Sequence, residues 1–244
     1  MKRSAKKSST QDQSLLKTGL FSKEEASIFI RTGCAHLHSS ILGSQDPTVA
    51  VSLNQLEGSP TSYSWEIAQT ATPHRLTTST DRNGVIENIL SASSLAKRSQ
   101  NRSRLHQVAE ELLTNAIYHS YKNSDGSDKY DRREDAQLQS EECVLVRFAE
   151  NLNGMNLIVE DQGGSLTLND FQRAFERCYQ RKNGREIGIE TKHSGAGLGL
   201  FMVFELSAHI HVKVEKKKKT CFSVWIPDSQ QFDPDTFSFN IFEE

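Results

Sequence analysis

Glu111 and Asn115 stand four residues apart in "EELLTNAIYHS", a spacing that puts both side chains on one face of a helix. A carboxylate placed there can orient a water or a hydroxyl. A carboxamide beside it suits a magnesium ion, which keeps several waters and takes few protein oxygens. Further along, "NLIVEDQGG" ends an apolar run on Asp161, an acceptor placed to take the amino group of a base, with Gly163 and Gly164 just after it. A third group is Gly195, Gly197 and Gly199 in "HSGAGLGL", alternate glycines with Leu198 between the last two. A glycine loop that opens a helix offers free N–H groups and the positive end of the helix dipole to an anion, and the missing β-carbons permit close approach. The spacing is neither that of the dinucleotide-binding G-x-G-x-x-G nor that of a P-loop, which needs a Gly-Lys-Ser/Thr ending. His36, His38, His74, His106, His193, His209 and His211 pair with no nucleophile or metal set and read as ordinary surface or core histidines.

These residues need elements to hold them. Residues 1–13 are Lys/Ser-rich without periodicity and read as a disordered basic tail. Ser22-Lys23-Glu24-Glu25 is a capping box that opens a helix predicted from Ser22 to about Ser40. Val49, Val51 and Leu53, then Tyr63, Trp65 and Ile67, alternate around a Gly-Ser-Pro turn and predict a hairpin, so residues 14–80 form a helix-plus-hairpin extension. A helical pattern from Asp81 leads to another whose Leu105, Val108, Leu112 and Ala116 share a face, and this second helix carries Glu111 and Asn115. Residues 122–142 are almost entirely polar and read as a partly disordered surface excursion that tolerates deletion.

Val144, Val146 and Phe148 alternate, the chain turns around Gly154, and the strand ending at Asp161 completes an antiparallel pair. Phe171, Ala174, Phe175 and Cys178 give a short helix inside a lid spanning 164–194. The alternate glycines open a helix from Leu198 to about Ala208, and "IHVKVE" and "TCFSVWIP" close a domain running from 81 to 228. Phe232, Phe237, Phe239 and Phe242 in the acidic tail 229–244 either pack on that domain or dock a partner. The order of elements predicts an α+β fold, a two-layer sandwich with helices on one face of a mixed sheet.

Composition narrows the function. With 29 basic and 31 acidic residues the net charge is -2, so no global field argues for nucleic acid or an anionic membrane as partner. The four cysteines, Cys34, Cys143, Cys178 and Cys221, lie far apart and read as free thiols in a reducing compartment. No stretch approaches the ~18 apolar residues of a membrane span, so a soluble, cytoplasmic protein is expected.

Taken in this order, the three motifs over roughly Asp81 to Pro227 resemble the GHKL, or Bergerat-fold, ATPases: DNA gyrase, heat-shock chaperone ATPases, histidine kinases, mismatch-repair ATPases and anti-sigma-factor serine kinases. "EELLTNAIYHS" looks like the N box, "VEDQGG" like the first glycine box and "GAGLGL" like the second. The resemblance implies ATP and Mg2+ as ligands. Asn115 would bind the metal, Asp161 would accept from the adenine amino group, and Gly163 would let the base lie close. Gly195, Gly197, Leu198 and Gly199 would shape the phosphate-binding hinge, and Thr220 would sit near the adenine.

Glu111, where histidine kinases carry Asn, favours a base acting on a hydroxyl or water, as in the anti-sigma serine kinases; Tyr118, where many histidine kinases carry Lys or Arg, points the same way. Two features depart from the pattern: Ser165 replaces the second glycine of the family's first box, and "GAGLGLFMVFELS" is closer to the histidine-kinase second box than to the serine-kinase one. The expectation is a regulatory kinase acting on Ser or Thr of a partner protein, an anti-anti-sigma-like substrate or sigma-factor-like client, with homodimerisation left open. Two alternatives remain, a nucleotide-gated binding module with little or no catalysis and an orphan histidine-kinase-type ATPase domain. A gyrase- or chaperone-type ATPase ranks behind them, since no transducer domain follows in this sequence.

Overall fold

The computed structural model describes residues 16–38, 71–182, 198–229, 233–234 and 237–244. Eight strands form one mixed sheet in the order β1-β2-β8-β6-β7-β5-β4-β3. They are β1 (Leu16–Thr18), β2 (His36–His38), β3 (His74–Leu76), β4 (Val144–Asn151), β5 (Gly154–Asp161), β6 (His209–Glu215), β7 (Lys219–Pro227) and β8 (Ser238–Glu243). The helices are α1 (Lys23–Arg31), α2 (Arg82–Ala92), α3 (Ser99–Tyr118), α4 (Leu168–Lys182) and α5 (Gly199–Leu206). The α+β fold with a mixed sheet is therefore as expected.

Alternation along the strands decides which residues meet the helices. Val159 faces Phe222 and Leu157 faces Val224 across β5 and β7, and Val212 and Ile210 continue the same rows on β6. Helix α3 lies on these rows through Leu105, Val108 and Leu112, all fully buried, and makes contacts with α2, α5 and β5. Each large apolar side chain so covered contributes roughly 1.5–3 kcal/mol.

Two sequence expectations need correction at the N-terminal side. The capping box at Ser22 forms as read, with Ser22 and Glu25 bonded reciprocally, but the helix ends at Arg31 rather than near Ser40. Gly33, at φ 98, turns the chain out of the helix, and His36–His38 then pairs with β8 as a strand. The hairpin expected over 49–67 lies outside the described residues, as do Gly195, Gly197 and residues 183–194 of the lid expected over 164–194.

The C-terminal segment packs on the domain. Strand β8 inserts between β2 and β6, burying Phe237 and Phe239, and Phe239 meets Phe171 edge-on at 5.2 Å between centroids. Helix α4, longer than its four-residue apolar stripe suggested, thereby gains a floor for Phe171 and Phe175.

Residues 122–142 also differ from expectation. Ala136 and Leu138 are buried, and Ser79 and Ala136 exchange hydrogen bonds, the Ser79 N–H donating to Ala136 O and the Ala136 N–H to Ser79 Oγ. The segment is polar because most of it faces solvent, yet two apolar residues pin it to the core.

Candidate functional site

Helix α3 supplies the first wall of a cavity of about 400 Å³. Its apolar stripe binds the sheet, which leaves Glu111, Asn115 and His119, spaced one turn apart, along the cavity edge. The Asn115 amide nitrogen donates to Glu111 Oε1 at 3.1 Å. That bond fixes the amide orientation and leaves Asn115 Oδ1 as the oxygen offered to a ligand.

The second wall comes from the sheet. Asp161 ends β5 directly opposite Thr220 on β7, and both line the cavity beside Val159 and Phe222. The Asp161 carboxylate is 4% exposed and accepts from the Gly163 N–H at 2.8 Å and the Gly164 N–H at 3.4 Å. Burial pushes its pKa up to about 6, against the hydrogen bonds that favour the anion. The Thr220 hydroxyl is buried with no hydrogen-bond partner among the described residues. A carboxylate and a hydroxyl without a partner among the described residues thus sit on adjacent strands over an apolar floor, an acceptor and a donor at one cavity edge.

Glycines set the close approaches. A β-carbon on Gly199, the first residue of α5, would lie 1.6 Å from Glu111 Cδ, so this glycine lets α5 abut the carboxylate. On Gly163 it would lie 2.1 Å from the Ser120 carbonyl oxygen. Gly163 is thus required by the packing of the strand exit on the end of α3, and it lines a neighbouring groove rather than the cavity of Asp161. Gly164 holds φ 58, and its carbonyl accepts from the Lys217 N–H in the β6–β7 turn at 3.0 Å. Leu198 precedes α5 and its carbonyl accepts from the Met202 N–H, without lining the cavity.

Of the residues singled out by sequence, Glu111, Asn115, Asp161, Gly199 and Thr220 converge on one cavity. His106 is exposed on α3, away from it. The sequence reading passed over His119 and Ser120, although the i+4 step from Asn115 already points to His119. Lys122, Asp128 and Arg132 were missed too, because a polar run carries no periodicity to show which of its charges turn inward.

The α+β layers and this cavity define a nucleotide-binding ATPase domain. Residues 100–230, more than half of the chain, match the family described as histidine kinase-, DNA gyrase B-, and HSP90-like ATPase. The chain belongs to that family. No curated protein matches it. Among the described residues no helix is long and apolar enough to cross a membrane, and no three His, Cys, Asp or Glu side chains are grouped to hold a metal.

Proposed function

We propose that this chain is an ATP-dependent regulatory protein kinase that transfers the γ-phosphate of ATP to a Ser or Thr of a partner protein, in the manner of the anti-sigma-factor serine kinases it resembles. The observation that carries the reading is the Glu111–Asn115 pair, hydrogen-bonded at 3.1 Å in the same cavity as Asp161 and Thr220.

The donor set fits the nucleotide. Asp161 is a buried acceptor for the adenine amino group, and Thr220 brings a hydroxyl with no protein partner among the described residues to the same edge. Asn115 Oδ1 would hold Mg2+, which when bound offsets phosphate charge. Glu111 would take the proton from the acceptor hydroxyl as that oxygen bonds to the γ-phosphorus and the bond to the β-phosphate oxygen breaks, leaving ADP. Gly195, Gly197, Leu198 and Gly199 make up the second glycine box, which the resemblance assigns to the phosphates, and Gly199 keeps the helix close to Glu111.

A second reading, nucleotide-gated partner binding, has its own support. Helix α4, inside the lid expected over 164–194, is bound on two sides: the Leu168 N–H donates to Glu243 of β8 at 2.6 Å, and Glu176 pairs with Arg31 of α1 at 3.5 Å. A nucleotide that moved α4 would thereby move both terminal segments.

The test is titration calorimetry with Mg-ATP on the wild type, Asn115→Ala and Glu111→Ala, followed by transfer from γ-labelled ATP into lysate proteins. Binding lost in Asn115→Ala, and transfer lost with binding retained in Glu111→Ala, supports the kinase reading. Binding by wild type with no labelled acceptor supports the gated module instead.

A further inference from the structure

We infer that the charged segment between α3 and β4 is part of the nucleotide site, with Arg132 and Lys122 binding the phosphates and Asp128 acting as a positioning residue. The inference rests on the nucleotide reading and goes beyond the motifs that suggested it.

The cavity obtains no Lys or Arg from α3, β5 or β7. Glu111 on α3 and Asp161 on β5 make those walls acidic, whereas a nucleotide polyphosphate carries several negative charges. The side chain of Tyr118, on the last turn of α3, turns away: it is buried, and its hydroxyl donates to Glu134 O at 3.2 Å. Among the described residues, the Lys and Arg side chains lining the cavity are Lys122 and Arg132 from this segment and Arg173 and Arg177 from α4. Arg173 pairs with Asp170 at 3.5 Å, Arg177 donates through Nε to the Arg173 carbonyl on its own helix at 3.2 Å, and Lys122 pairs with Asp128. Arg132 is exposed and makes no ion pair among the described residues, so its guanidinium is free to meet an anion.

The segment is built to hold these charges in place. Lys122 and Asp128 bridge as antiparallel neighbours around Gly126, which takes φ 84 in the turn. Asp128 Oδ2 also meets His119 Nδ1 at 2.8 Å, tying the turn back to α3 one helical step beyond Asn115. At the base, the Tyr121 hydroxyl donates to Glu142 O at 2.6 Å and accepts from the Gln162 N–H at 3.2 Å, next to Asp161. Burial pushes the Tyr121 phenol above its ordinary pKa, so it stays a donor at any working pH. The wall is therefore anchored on both the helix and the strand that carry the candidate site.

The experiment compares ATP, ADP and adenosine binding by titration calorimetry in the wild type, Arg132→Ala, Arg132→Lys and Asp128→Ala, with melting temperatures alongside. ATP and ADP are expected to bind about tenfold more weakly to Arg132→Ala, with adenosine and melting temperature unchanged and with partial recovery in Arg132→Lys. Asp128→Ala is expected to lower ATP affinity severalfold while sparing adenosine. Wild-type ATP affinity in Arg132→Ala, or an equal loss for adenosine and ATP, overturns the inference. If the wild type binds neither ATP nor adenosine, the nucleotide reading itself fails.

Discussion

Asp161 and Thr220 face each other across β5 and β7, a buried carboxylate beside a buried hydroxyl that has no partner among the described residues. Such a pair opposes stability, since both groups are dehydrated without full compensation. It is the pattern expected where a fold keeps hydrogen-bonding capacity for a ligand.

Replacing Asp161 by Asn tests that trade. Burial raises the folded-state pKa from 3.8 to about 6, so between those values the folded state holds its proton more firmly than the unfolded chain. The stability so supplied is complete below about pH 4 and is lost as the pH rises through 6. The carboxamide of the Asp161→Asn variant would still accept from Gly163 and Gly164 but carry no charge. Urea unfolding of the unliganded variant at pH 8 is expected to show a gain on the order of 1–3 kcal/mol, with little or no gain at pH 4 and weaker ATP binding throughout. Equal stabilities at pH 8 would contradict the assigned burial cost.

The glycines 163 and 199 should behave differently when each becomes Ala. At Gly163 the added carbon meets the Ser120 backbone, which cannot withdraw, so a loss of about 3 kcal/mol or more is expected. At Gly199 it meets the end of the Glu111 side chain, which can swing away. Gly199→Ala should therefore fold nearly normally but, under the proposed kinase reading, lose phosphoryl transfer, the outcome expected for Glu111→Ala. Denaturation midpoints set beside transfer assays separate the two cases.

Leu138→Ala probes the loop expected from sequence to be dispensable. Leu138 is 4% exposed, and its loss should cost about 2–4 kcal/mol in chemical denaturation, as for a core leucine. A change below about 0.5 kcal/mol, typical of a surface site, would restore the view of 122–142 as a loose excursion.

The reverse face of the sheet predicts acid sensitivity. Across β2, β8 and β6 two rows run side by side, His36–Asn240–His211 and His38–Ser238–His209. Burial lowers the pKa of His38 from 6.5 to about 4 and pushes His211 down as well. A depressed histidine pKa supplies stability above 6.5 that is lost as the pH falls through 4. The wild type should lose roughly 2 kcal/mol between about pH 8 and 5 through His38 alone, and His38→Leu should flatten that part of the profile. A His38→Leu profile parallel to wild type would remove His38 from the effect.

How much of this was legible in the chain follows the range of each signal. The helix that carries Glu111 and Asn115, the strand that ends at Asp161 and the capping box at Ser22 are local patterns, periodicity and side chain-to-backbone hydrogen bonds, so the sequence alone specified them. The alternate glycines placed the start of this helix at Leu198, one residue before α5 begins at Gly199, for the same reason.

What only the tertiary structure decided are pairings between distant segments. Residues 36–38 continue a helical stripe in sequence but become a strand, because Gly33 turns the chain and β8 offers an edge. Phe237 and Phe239 could have faced a partner, and they are buried where β8 enters the sheet between β2 and β6 instead. Residues 122–142 carry too few apolar positions to show a period, yet a turn around Gly126 and two buried side chains set Arg132 at the cavity. Local propensity acts over a few residues. Strand edges, cavity walls and charge neutralisation depend on which distant segments meet, and no spacing within one segment encodes that.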